Sequence, residues 1–206
     1  MSNQEIILIG YSGHAFVVCE AFLSQNYKVF GYYEKSLKPV NPYDLTFLGD
    51  EQENLFRQEN QSFFVAIGDN HLRRKIFNHS TLISVNSINA IHKSAVISSN
   101  STLGKGVLVS ALAVINPLSI IENGVILNTS SVVEHECHVS EFAHIGPGAV
   151  LCGNVSIGKN TFVGANSVIK QGIKIGDNVI IGAGSVVIKD VESNTTVVGN
   201  PSVKIN

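Results

Sequence analysis

From Val96 to Asp190 an aliphatic residue returns at every sixth position: Ile97, Leu103, Val109, Ile115, Ile121, Leu127, Val133, Val139, Ile145, Leu151, Ile157, Val163, Ile169, Ile175, Ile181 and Val187. The position two before each is mostly Ala, Ser, Val, Thr or Cys, and the position after is often Gly, Ser, Asn or Glu. This is the hexapeptide pattern of a β-helix. Each hexad is a short strand plus a tight corner, so three hexads close a triangular coil and residues eighteen apart stack at the strand spacing of ~4.8 Å. The run then builds about five coils, a prism roughly 25 Å tall. The aliphatic residue of each hexad points into a narrow bore, and the small residue two places earlier fits the crowded corner.

A chain of 206 residues has room for a small domain joined to such an array. Net charge is −2 and no basic residues cluster, so there is no footprint for nucleic acid or for an anionic membrane. The N-terminus carries no signal pattern, and no apolar run approaches the ~18 residues that cross a bilayer. A cytoplasmic protein is expected. Cys19, Cys137 and Cys152 form no CxxC pair and read as reduced packing residues.

Ahead of the repeat, apolar runs at 5–10, 28–33 and 62–67 alternate with helical patterns at 15–23, 51–58 and 71–77. That alternation predicts a small Rossmann-like α/β domain with a parallel sheet over residues 1–86, a β-helix over 87–194 and a tail over 195–206. Ligands of such sheets bind beyond the carboxyl ends of the strands. Those ends carry Ser12-Gly13-His14, Tyr33-Glu34 and Gly68-Asp69-Asn70. The first is a glycine turn opening a helix, whose free N–H groups can hold a phosphate. Glu34 follows Gly10 by 24 residues, a spacing suited to a carboxylate that reaches a ribose or a base. The glycine turn lacks the full dinucleotide fingerprint, which disfavours an NAD enzyme. His92 and Lys93 read as a polar cap on the first coil.

One stretch of the prism is unusually rich in chemistry, Glu134-His135-Glu136-Cys137-His138 with His144 beyond it. His135 lies two positions after the inward Val133, so it projects from a corner, where a flanking Glu136 or Glu134 can orient the ring for general-base work. An isolated histidine there would read as a solvated surface residue. The eighteen-residue rule, however, places Gly153 directly beside it and stacks Gly146, Gly164 and Gly182 in one column and Ala165 and Ala183 in another. The stripped columns suggest a smooth strip leading away from the histidine, suited to a long thin ligand; glycine and alanine also simply suit β-helix corners. A zinc site is a further reading, but His138 and His144 are six apart and so fall on different faces, which leaves only an intersubunit arrangement.

The runs Gly10-Tyr11-Ser12-Gly13-His14, Ala66-Ile67-Gly68-Asp69-Asn70 with Arg73, Asn128 to Cys137, and His144 to Gly153 resemble the bacterial sugar acetyltransferases of the NeuD/PglD type. The resemblance spans essentially the whole chain and is most specific from Asn128 to Cys137. It implies a left-handed β-helix, a homotrimer with active sites at subunit interfaces, acetyl-CoA as co-substrate without a metal, and acetylation of the C4 amine of a UDP-4-amino-4,6-dideoxy sugar or related nucleotide-amino sugar for surface glycan biosynthesis. It also implies His135 as catalytic base, Glu136 as the acid that tunes it, Ser12, Gly13, His14 and Gly68 on the nucleotide sugar, and His144, Ala165 and Ala183 on acetyl-CoA; Tyr33, Glu34 and Asn128 are further candidates for the nucleotide sugar, and Gly164 and Gly182 of the stripped column for acetyl-CoA. The backbone N–H of Gly153 is the candidate oxyanion donor. The family often has an Asp-Asp pair where this chain has Tyr33-Glu34, and ends Gly-Asn-Pro-Ala where this chain has Gly199-Asn200-Pro201-Ser202. Rival readings are a sialic acid O-acetyltransferase, a metal-dependent hydratase of the γ-class carbonic anhydrase kind, and a non-catalytic nucleotide-sugar scaffold.

Overall fold

The computed structural model describes residues 5–50, 61–79 and 86–205; the helix expected over 51–58 lies outside them. The N-terminal unit runs β1 (Glu5–Ile9), α1 (Gly13–Ser24), β2 (Lys28–Tyr33), β3 (Thr46–Phe47), β4 (Gln61–Val65) and α2 (Asn70–His79). Its sheet is parallel, in the order β3-β2-β1-β4. Ile6 to Ile9 are at most 1% exposed, which explains why this central strand reads as an unbroken apolar run. One core places Ala15, Val18, Cys19 and Phe22 of α1 against the sheet and continues into Ala90, Leu108 and Ile126 of the repeat. A second core joins Ile7, Ile9 and Val65 to Phe77 of α2 and to Phe142. The unit is therefore clamped on the prism through two apolar cores.

The repeat is a parallel β-helix of two-residue strands, with every strand in register with the one eighteen residues later. It has three faces. An eight-stranded face lies under the N-terminal unit, a six-stranded face is uncovered, and a five-stranded face carries Thr102, Ile120, His138, Ser156 and Lys174 on its outer side. The ladder starts six residues before the hexad run was legible, because Ala90–Ile91 already pairs with Leu108–Val109. At the other end Thr196–Val198 continues the eight-stranded face, and Val203–Ile205 turns back antiparallel onto it. The inward aliphatic positions are buried, apart from Ile97 and Leu103 at the first coil, which are partly so. Burying each such side chain stabilises by about 1.5–3 kcal/mol.

The corners explain the sequence between the strands. At the end of many hexads the backbone enters the left-handed region, with φ between 54° and 65° at Leu112, Leu118, Ser130, Glu136, Phe142, Asn154, Asn160, Asn166, Asn178 and Asn194. Asparagine tolerates that region because its short side chain bonds locally. Leucine, glutamate and phenylalanine do not share that advantage, so Leu112, Leu118, Glu136 and Phe142 stand against the local preference. Phe142 is explained at once: its ring fills the core under the N-terminal unit, 5.5 Å from Phe77 between ring centres. The glycine column has its own cause. A Cβ on Gly164 would sit 2.5 Å from the Ala183 nitrogen and one on Gly146 2.6 Å from the Val163 oxygen, so these glycines are required by coil-to-coil backbone approach. Among the described residues no helix is long and apolar enough to cross a membrane.

Candidate functional site

His135 follows Val132–Val133 at the corner between the six- and five-stranded faces. Its Nδ1 lies 3.0 Å from Glu136 Oε2, and both side chains are about half exposed. A carboxylate only accepts, so the pairing puts the ring proton on Nδ1 and leaves Nε2 as the basic nitrogen. Glu136 holds this position at φ 61°, and at the equivalent corner one coil on the chain has Asn154. A glutamate in left-handed backbone, aimed at an imidazole, is strain spent on orientation. On the far side a Cβ on Gly153 would meet His135 Cε1 at 2.5 Å and Nε2 at 2.6 Å. Only glycine leaves that nitrogen open. The expected neighbour relation between His135 and Gly153 is present.

The Gly153 N–H makes no hydrogen bond to another described residue, whereas its neighbours Cys152 and Asn154 both donate along the ladder. Pro117 and Pro147 occupy the same hexad position, which shows that the ladder needs no donor there. A free N–H therefore stands beside the basic nitrogen, suited to an oxyanion.

The remaining candidate residues gather elsewhere, at the junction of the two units. His144 lies on the eight-stranded face, between Ile126 and Phe162 in the ladder, and is 8% exposed. Its Nε2 is 3.0 Å from Asn128 Nδ2, which donates, and its ring also bonds the Gly68 backbone. Burial, aided by the Arg73 guanidinium and by His14, pushes its pKa down to about 3, against the Gly68 bond. His14 stands 6.1 Å away between ring centres and is pushed down to about 4 by burial and by Arg73. Both are neutral at pH 7. His14 Nε2 is buried and has no hydrogen-bond partner among the described residues, an arrangement that calls for a ligand atom. Ser12 precedes α1 without capping it through its side chain, so the helix start beside His14 keeps amides to offer.

Glu34 closes the end of β2 over the glycine turn. Its Oε2 accepts the Tyr11 N–H at 3.3 Å and pairs with Lys38 Nζ at 3.3 Å, while Oε1 accepts the Lys35 N–H. Tyr33 is buried and its carbonyl accepts the Gly10 N–H, so it shapes the turn from below. Beyond Gly68 a groove of about 180 Å³ runs past Asn70 and His71 to Phe162 and the half-exposed Ile180.

One expected relation is not found. Asn128, Gly164, Ala165, Gly182 and Ala183 follow strands of the eight-stranded face and precede strands of the six-stranded one. His135 and Gly153 sit at the opposite edge of that six-stranded face. Within one chain, the strip does not lead away from the histidine. The eighteen-residue rule separates the two columns, since the spacing from His135 to Ala165 is not a multiple of eighteen. His138 pairs with Glu122 at 2.8 Å on the five-stranded face, apart from buried His144, and no group of three metal-ligating side chains occurs among the described residues. The three cysteines are free thiols, two of them buried.

Residues 5–80 match the PglD N-terminal domain family and residues 154–189 the hexapeptide repeat of succinyl-transferase. The structure is similar to the acetyltransferase domain of PglB from Neisseria gonorrhoeae FA1090, solved in complex with acetyl coenzyme A, at TM-score 0.92 and 30% identity over 99% of this chain and 100% of that one. It is similar also to PerB from Caulobacter crescentus, solved in complex with CoA and GDP-perosamine, at TM-score 0.89 and 35% identity over 98% of this chain and 97% of that one. Uncharacterized protein L142 of Acanthamoeba polyphaga mimivirus is 32% identical over 101 residues, 49% of this chain but 20% of that protein, so the chain spans a minor part of that relative. By its N-terminal domain, its hexapeptide repeat and its likeness along nearly its whole length to these transferases, the chain belongs to the PglD-type sugar N-acetyltransferases.

Proposed function

We propose that the protein transfers the acetyl group of acetyl-CoA to the C4 amine of a nucleotide-activated 4-amino-4,6-dideoxy sugar, with His135 as the general base. The observation that carries this reading is the His135–Glu136 pair, 3.0 Å apart, with Nε2 left open beside Gly153. The amine attacks the thioester carbonyl, His135 Nε2 takes a proton from the nitrogen, and Glu136 faces the imidazolium that forms. The Gly153 N–H meets the oxyanion, and the thiolate of CoA leaves. No protein nucleophile is needed, since a thioester is already activated.

The nucleotide lies on the helix start at Ser12, Gly13 and His14, with Tyr33 and Glu34 at its nucleoside end. Gly68 and Asn128 border the sugar, and the apolar floor of Phe162 and Ile180 suits a C6 methyl better than a hydroxymethyl. Ala165 and Ala183, on the other edge of the six-stranded face, keep a clear path for the CoA arm. His144, fully engaged with Asn128 and Gly68, meets the acyl end through its edge. Both co-substrates are cytoplasmic metabolites, which supports a cytoplasmic enzyme of glycan biosynthesis.

The reading includes a homotrimer, and what the six-stranded face exposes supports it. Its outer column is Val96, Val114, Val132, Val150, Val168 and Val186. Exposed Leu112 and Leu118, both in left-handed backbone, flank its two edges. A valine ladder with strained leucines at its rims is an interface awaiting its partner. With three such faces turned to a common axis, the His135 edge of one chain meets the Ala165 edge of the next, and the two separated halves make one site. A Val114→Lys substitution is expected to lower the solution mass from three chains to one, by light scattering, and to abolish transfer although each chain stays folded. A trimer that persists with full activity refutes this arrangement.

The reaction itself is tested by thiol release from acetyl-CoA with UDP- and GDP-linked 4-amino-4,6-dideoxy sugars, their 6-hydroxy counterparts and sialic acid. Release is expected with the 6-deoxy amino sugars and at least tenfold less with the 6-hydroxy ones. Release with sialic acid alone would replace the amine by a hydroxyl acceptor, and no release with any of them would overturn the reading.

A further inference from the structure

Arg73 is 1% exposed and lies in α2, one helical turn beyond the Gly68 loop. A guanidinium carries five N–H groups, and all are used. Nε donates to the Gly124 oxygen at 2.8 Å, Nη2 to the Phe142 oxygen and to Asn70 Oδ1, each at 2.8 Å, and Nη1 to the Ile67 and Gly68 oxygens, each at 3.1 Å. None of these acceptors is a carboxylate. A buried cation held by carbonyls is poor value for stability alone, since apolar replacements of buried charged groups are often neutral or better.

The acceptors form a pattern. Gly124, Phe142 and Asn160 stand eighteen residues apart at one corner of the prism, all in left-handed backbone. Arg73 takes the first two oxygens, and Asn70, which it orients, donates to the third at 3.0 Å. Two side chains of α2 thus grip three successive coils. The corner at Phe142 leads within two residues to His144, and the Gly68 oxygen gripped by Nη1 belongs to the backbone that His144 bonds.

We propose that Arg73, with Asn70, is a positioning residue for acetyl transfer: it registers the Gly68 loop against the β-helix so that Gly68 and Asn128 are held against the sugar, with His144 hydrogen-bonded to Asn128 beside them. The proposal rests on the functional reading above only for its kinetic consequence. The groups facing His144 are Arg73, His14, Asn128, Gly68 and Phe162; those facing Arg73 include Asp69 of the same loop. With His144 Nε2 accepting from Asn128, its proton resides on Nδ1, a tautomer that the Gly68 registry maintains.

The test is Arg73→Lys, which keeps the cation but supplies three donors in place of five. In protein labelled with ¹⁵N, the His144 ring nitrogens at pH 7 are expected to show one fixed tautomer in the parent and a mixture in the variant. The KM for the nucleotide sugar, which Gly68 and Asn128 border, is expected to rise at least tenfold. A folded Arg73→Lys protein with the parent tautomer and the parent nucleotide-sugar KM overturns the proposal. Should that variant fail to fold, Asn70→Ala decides on the same two readouts, with a several-fold rise expected and no change in either overturning it. If no nucleotide sugar is turned over by the parent, the functional reading has failed, and the tautomer still decides the role of Arg73.

Discussion

Replacing His135 by alanine is expected to lower kcat by about 10²–10⁴-fold, with the KM values for both substrates nearly unchanged. The side chain is half exposed and, among the described residues, bonded only to its neighbour Glu136, so its loss leaves the bore of the β-helix intact and the melting temperature close to that of the parent. The residual rate is what positioning and the Gly153 N–H still supply. Steady-state kinetics beside a thermal melt separates the two effects. Turnover near the parent value would remove His135 from the mechanism.

Gly153→Ala is expected to be the second most damaging single change at the site, although it adds one methyl group. Gly153 does not adopt the positive φ seen at other corner glycines, so the backbone accepts alanine. The new Cβ, however, would lie 2.5–2.6 Å from Cε1 and Nε2 of His135. The half-exposed ring is the member free to move, and it swings off the reaction line toward solvent. A displacement of about 1 Å at a reacting group lowers turnover on the order of 10²-fold. The loss should fall on kcat, with stability preserved, and double substitution with His135→Ala should add little to either single change. Parent-like turnover would mean that the Nε2 side is not where the amine approaches.

The β-helix was legible because its period imposes one chemical demand at every sixth residue, and the bore buried the expected side chains almost without exception. The corners were legible by the same count. His135 and Ala165 hold the same position within their hexads, but their separation is not a multiple of eighteen, which puts them at different corners of the prism. Strand β3, two residues long, has no period to read. The burial of Arg73 had no local signal either, since it stands in a helix beside Arg74 and Lys75. Its burial follows from the docking of α2 on Gly124 and Phe142, a tertiary fact. The neighbour relation of His135 and Gly153, by contrast, is a consequence of register alone and was available from arithmetic.

A solenoid of identical ladders has no natural end, because each coil offers the next one bare N–H and C=O groups. In this chain the last strand, Val203–Ile205, reverses direction on Thr196–Val198, and Ser202 donates back to Val186 on the neighbouring face. A reversed strand presents the wrong polarity for another parallel coil to add in register. The reversed strand therefore closes the eight-stranded face to the addition of a further parallel coil in register.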